Sequence, residues 1–184
     1  MAEQLVDGTG TGDKLKIDSR NRLRAFSVTE SEDKDYNKIG ESWSLYFTAT
    51  PTGVTDEFFY LENTGETSIA ISDIRVMCAA AETITIKWVT GTPTYSGATD
   101  AAVTPKNGGS SKVPNITAKS DPDITTLTDD GVIDFMRLDT ANKLYDLDSS
   151  SNIIVPQGAK LAFEATTGTN LITCIVSIQN INLT

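Results

Sequence analysis

The chain contains no histidine. Imidazole is the usual general base near neutral pH and a common metal ligand, so Ser-His-Asp and Cys-His triads and His-based zinc sites are excluded. Cysteine is scarce as well: Cys78 and Cys174 each lie inside an apolar run, Val76-Met77-Cys78-Ala79 and Thr173-Cys174-Ile175-Val176. Two isolated thiols cannot build a cysteine-rich metal cluster. Buried, they behave as small hydrophobes, and their positions leave a disulfide between them open. No run of eighteen apolar residues occurs, so the sequence holds no membrane-spanning helix. Helical periodicity is missing too, because apolar residues nowhere recur at i, i+3, i+4 and i+7 beyond two turns. The Gly-rich stretch Lys106-Asn107-Gly108-Gly109-Ser110-Ser111-Lys112 lacks the phosphate-loop pattern and does not join a strand to a helix. No cofactor is implied.

Positive charge is in deficit. Asp and Glu number 25 against 15 Lys and Arg, giving a net charge of −10 and a pI near 4.4. Such a surface repels nucleic-acid phosphates and anionic membranes, which argues against both as partners, and it favours solubility. Met1-Ala2-Glu3-Gln4 is polar and acidic with no apolar signal region, so the chain is expected to be made in a cytoplasm. The sequons Asn115-Ile116-Thr117 and Asn182-Leu183-Thr184 are then fortuitous.

What is present is a β pattern rich in Thr. At 184 residues there is room for one ordinary domain, which buries roughly 70% of its unfolded surface. Residues 1–13, ending in Asp7-Gly8-Thr9-Gly10-Thr11-Gly12, read as an extended N-terminal arm. Lys14–Asp18 and Leu23–Thr29 read as short strands around a turn, and Glu30–Asp35 as a charged loop. Trp43–Thr50 alternates with Trp43, Leu45 and Phe47 on one face. Asp56–Glu62 carries Phe58, Phe59, Tyr60 and Leu61 without alternation, as expected of a strand covered on both faces. Ser68–Met77 changes phase at Ser72-Asp73, the mark of a β-bulge. In Thr83–Val89, Ile84, Ile86 and Trp88 are expected to face the core and Thr83, Thr85 and Lys87 the solvent, with Gly91-Thr92-Pro93 ending the strand. A polar, Gly- and Pro-rich segment, 91–130, reads as a long surface loop with one short strand near Val113–Ala118. Strands follow at Val132–Leu138, Lys143–Leu147, Asn152–Val155, Lys160–Thr166 and Leu171–Ile178. Many short strands separated by Gly, Pro and Asn turns predict a single all-β sandwich or barrel over 14–184.

Catalytic chemistry finds little support. Asp134 and Glu164 lie in predicted strands and form the one carboxylate pair worth weighing for glycoside hydrolysis, although strand carboxylates more often face water. Asp121-Pro122-Asp123, Asp129-Asp130 and Asp146-Leu147-Asp148 supply oxygens of the kind Ca²⁺ takes, yet none matches an EF-hand loop. The aromatics Trp43, Tyr46, Phe47, Phe58, Phe59, Tyr60 and Trp88 are assigned to the core over a sugar-binding surface. Tyr36, Tyr95 and Tyr145 fall outside the core phases and are candidates for interface contacts. The chain is expected to work by contact and not as an enzyme.

Four segments resemble the head decoration, or cement, proteins of tailed bacteriophages: Leu5–Leu23, Phe59-Tyr60-Leu61-Glu62-Asn63, Gly91-Thr92-Pro93 through Ser110, and Ile153–Phe163. The resemblance implies a jelly-roll-like antiparallel β-sandwich with an extended N-terminal arm and one long surface loop. It further implies a homotrimer on the outer capsid surface of the virion, synthesised in the bacterial host cytoplasm. The major capsid protein would be the partner, gripped by the arm and loops. Leu5, Val6, Asp7, Thr9, Thr11 and Tyr95 are the expected contact residues. The alternative is a tail-fibre module that binds a receptor or carbohydrate.

Overall fold

Residues 16–17, 23–24 and 37–181 are described in the computed structural model. The chain divides into two compact units, 1–31 and 32–184. In the first, β1 (Lys16–Ile17) pairs antiparallel with β2 (Leu23–Arg24), as the alternation there predicts. This hairpin lies within the N-terminal unit. The expected arm, 1–13, lies outside the described residues, and with it Leu5, Val6, Asp7, Thr9 and Thr11.

The second unit is built on eight long strands. They are β3 (Ser42–Ala49), β4 (Asp56–Asn63), β5 (Ser68–Cys78), β6 (Glu82–Tyr95), β9 (Ile116–Leu138), β10 (Leu144–Val155), β11 (Lys160–Ala165) and β12 (Ile172–Ile181). Two short strands, β7 (Thr99–Asp100) and β8 (Ala102–Pro105), lie between β6 and β9. The pairings nest: β3 with β12, β4 with β11, β5 with β10, β6 with β9, all antiparallel. Folding this nested hairpin over itself gives sheet I, in the order β10-β5-β12-β3-β8, and sheet II, in the order β4-β11-β6-β9-β7. That is the jelly-roll arrangement, a double-sheet sandwich.

Alternation decides which face each strand turns inward. Trp43, Leu45 and Phe47 of β3 and Ile172, Cys174, Val176 and Ile178 of β12 line the core from sheet I. Sheet II answers with Phe59, Leu61, Ile84, Ile86, Leu161 and Phe163. The sheets meet where the Phe47 ring stacks on Phe59, centroids 4.0 Å apart and planes within 2°, with Phe163 tilted 5.0 Å from Phe59. Phe58 also turns into this core. It is the extra residue of β4, skipped where the β11 register passes from Phe59 to Glu57. The predicted bulge in β5 is present: Ser177 and Ile178 of β12 face Asp73 and Ile71, which leaves Ser72 unmatched.

Three expectations change. The strand expected to end at Gly91-Thr92-Pro93 continues to Tyr95, because a register shift between Gly91 and Thr94 absorbs Pro93, and Gly91 takes a positive φ of 96°. Much of the loop expected over 91–130 is strand, and only 96–115, itself holding β7 and β8, separates β6 from β9. Lys143–Leu147 and Asn152–Val155 belong to one strand, β10, with an irregular register between Asp148 and Ile153. Composition could not show these joins, since bulges let Gly, Pro and Ser sit inside ladders that they would otherwise end.

β9 explains why β4 is apolar on both faces. Its first part, Ile116–Ile124, pairs with β4, and its remainder crosses to β6. Pairing thus runs in a ring, β4-β11-β6-β9-β4, and the outward face of sheet II becomes a second interior. Tyr60, Ala162, Val89 and Ile124 fill it, one from each strand.

Gly168 stands at the turn between β11 and β12 with φ of 72°, and a Cβ there would lie 1.8 Å from the Gly53 carbonyl oxygen. Gly168→Ala should therefore cost about 2 kcal/mol or more, read as a lowered urea midpoint at unchanged slope. Cys78 and Cys174 are free and buried, and burial raises both thiol pKa values. Ellman's reagent should find no fast-reacting thiol in the native chain and both after unfolding. A native thiol count above zero would contradict this packing.

Candidate interaction surfaces

The least expected feature is Lys87. The alternation of β6 assigned it to solvent, but its side chain is 3% exposed. Its Nζ donates to Glu57 Oε1 at 2.8 Å, Asp129 Oδ1 at 2.8 Å and Glu164 Oε2 at 2.5 Å. The strand register explains the cluster. Glu164 of β11 stands directly opposite Glu57 of β4, a like-charge pair that destabilises a sheet by itself. Lys87, two residues along β6 from Glu164's partner Thr85, supplies the cation between them. Asp129 reaches in from β9, opposite Val89. Burial by itself would lower the lysine pKa, but the hydrogen bonds to Asp129, Glu164 and Glu57 outweigh it and hold the pKa above the ordinary value.

Neighbouring groups follow the same logic. Tyr60 donates its hydroxyl to Glu62 Oε2 at 2.9 Å, and burial together with that carboxylate raises its pKa. Buried Asp121 accepts from Ser96 Oγ at 2.6 Å and from the backbone N–H groups of Gly97 and Asp123. Burial would raise its pKa, yet these donors bring it below the ordinary value. Asp121 thereby fastens the start of the 96–115 excursion to β9.

The candidate residues fall as follows. Glu164 is taken up by Lys87, while Asp134 is exposed and accepts from the Phe135 backbone N–H, so the structure does not join them as a pair. Among the described residues no three acidic or thiol side chains are placed to hold a metal ion, and the three carboxylates that converge do so on an ammonium. Tyr95 ends β6 half-buried against the Tyr60–Val89–Ile124–Ala162 cluster. Burial, then the charges of Glu62, Asp121 and Asp100, raise its pKa. Tyr145 packs on the main core, and its hydroxyl accepts from Thr140 N at 2.8 Å. Tyr36 lies outside the described residues.

Sequence reasoning missed the exposed apolar residues of β9. Val132 and Phe135 are 67% and 64% exposed. They stand beyond the stretch that pairs with β4, where among the described residues β9 is hydrogen-bonded only to β6. A free strand edge carrying two apolar side chains is a docking surface in physical terms. Their place on an edge depends on long-range pairing, which no local pattern carries. Compared with protein-family models, curated proteins and solved structures, the chain matches none of them.

Lys87→Met leaves Glu57 and Glu164 confined without a cation and should cost about 3–5 kcal/mol at pH 7. Because the folded-state pKa of Lys87 is raised, its contribution is complete below the ordinary lysine value of 10.5 and is lost as pH rises through the higher folded value. The stability gap between wild type and variant should stay flat from neutral pH to about 10 and narrow only above that. Urea melts across that range would show it.

Proposed function

We propose that this chain is a non-enzymatic structural protein of a bacteriophage virion, a decoration or cement protein that binds the outer surface of the head and stabilises its lattice. The observation that carries this reading is the nested jelly-roll pairing found together with the four segments that resemble decoration proteins. Jelly rolls serve viral shells widely, and a cement needs a stable scaffold and contact surfaces without reactive groups. The carboxylates best placed for chemistry are committed to Lys87, which solvent scarcely reaches. The acidic surface keeps the free protein soluble before it finds the shell. Its partner is the major capsid protein, its assembly a homotrimer, its place the capsid surface after synthesis in the host cytoplasm. The β9 edge at Val132 and Phe135 offers backbone hydrogen bonds and apolar contact to such a partner.

Light scattering should give a mass near three times 19.8 kDa. Mixed with heads stripped of it, the protein should co-sediment saturably and raise the temperature at which the heads release DNA. The double variant Val132→Glu, Phe135→Glu should stay folded and lose at least tenfold in head affinity, the loss expected for truncating interface anchors. Binding to tails or cells with none to heads would refute the reading.

A further inference from the structure

A groove of about 560 Å³ opens where β6 passes the turn between β10 and β11. Its lining includes Trp88 of β6, Asp130 of β9, Ile154 and Pro156 of the β10 end, and Gly158 and Lys160 entering β11. We propose that this groove is a binding site for a neutral saccharide, with the Trp88 ring as its platform.

The two tryptophans of the chain are placed differently. Trp43 is 1% exposed and donates its indole N–H to Lys112 O at 3.0 Å. Trp88 packs on the core, is only partly buried, and its indole N–H makes no hydrogen bond among the described residues. A flat ring with an unused donor thus borders the groove. Asp130 is exposed and has no partner among the described residues, so it offers free acceptor oxygens. Lys160 Nζ donates to the Gly91 carbonyl at 2.7 Å, lies 3.9 Å from Glu62 Oε1, and keeps a further donor. Gly158 has φ of 73°, and a side chain there would meet nothing within 4 Å, so the wall stays low on that side.

The ligand class follows by elimination. A wholly apolar ligand would strip water from Asp130 and Lys160 without replacing it. An anion would face Asp130 and the field of a chain with net charge −10. A cation would face Lys160. A pyranose presents an apolar C–H face to a flat ring, and hydroxyls at its rim that both donate and accept. Its hydroxyls can donate to the carboxylate and accept from the indole N–H and the ammonium. The volume falls within the range of small-molecule sites and suits roughly one or two sugar rings. The site is independent of the head-binding reading, since it rests on the groove alone.

The full chain, labelled with ¹⁵N, shows indole resonances from two tryptophans, and Trp88→Phe assigns them. It is titrated with galactose, N-acetylglucosamine, maltose and lactose, and with benzoate as an apolar anion. The expected result is saturable movement of the Trp88 resonance with at least one sugar, Kd on the order of 1 mM, with Trp43 still. Asp130→Ala, a surface change that leaves the spectrum folded, should weaken that sugar at least tenfold, as loss of a charged hydrogen-bond acceptor does. No saturable movement with any of the sugars, an affinity unchanged by Asp130→Ala, or tighter binding of benzoate would each overturn the proposal.

Discussion

A single ammonium group makes the closed side of sheet II possible. Once β9 pairs with both β4 and β6, the outward faces of β4, β6 and β11 no longer meet water freely, and every charge there must find a partner. Glu57 and Glu164 face each other across neighbouring strands, and only a cation between them makes that register tolerable. Lys87 is that cation, and Asp129 ties the crossing strand to it. The ionic cluster and the small apolar layer of Tyr60, Val89, Ile124 and Ala162 both draw on strands β4, β6, β9 and β11. Apolar residues of similar volume would fill the place of the cluster at least as stably, so the cluster is better understood as fixing register than as adding stability.

The main core depends on a different constraint, the nesting of strands. β3 pairs with β12, so the first and last long strands of the domain lie side by side. The aromatic contact between sheets adds a second long-range tie, Phe47 on β3 against Phe163 on β11, beside the nearer Phe47–Phe59 stack. Such a fold cannot close until its last strand is made, and topologies of this kind fold slowly. What results is a scaffold of interlocked strands, each held by partners distant in sequence.

The strands were largely legible because alternation is local. Trp43, Leu45 and Phe47, or Ile172, Cys174, Val176 and Ile178, declare a face without knowledge of any partner. Even the bulge at Ser72 and the double burial of β4 were legible, since a phase slip and an unbroken apolar run are local signals too. What failed was everything that depends on which strand lies beside which. Lys87 has the same local context as a wet-face lysine, and only the convergence of Glu57, Asp129 and Glu164 from three other strands buries it. Pro93 and Gly91 look like a strand end because the bulge that accommodates them is a property of the β6–β9 pair. Nothing local in Val132–Leu138 marks Phe135 as exposed, because that depends on β9 having no neighbour on its far side among the described residues.

The same geometry places two surfaces of different character next to each other. Asp130, on the groove, and Val132, on the strand edge, are separated in β9 by Gly131, whose φ of 117° lets the backbone turn between them. A partner that extends sheet II along this edge would hold the backbone at Gly131, and with it the position of Asp130. A ligand resting on Trp88 and bonded to Asp130 would order the same stretch from the other side. Two binding events that fix one backbone segment are linked, and linkage is reciprocal. If a partner on the edge changed the affinity of the groove for its ligand by some factor, that ligand would change the affinity for the partner by the same factor. The sign depends on whether the two ligands favour one conformation of Gly131 or two, and not on any direct contact between them.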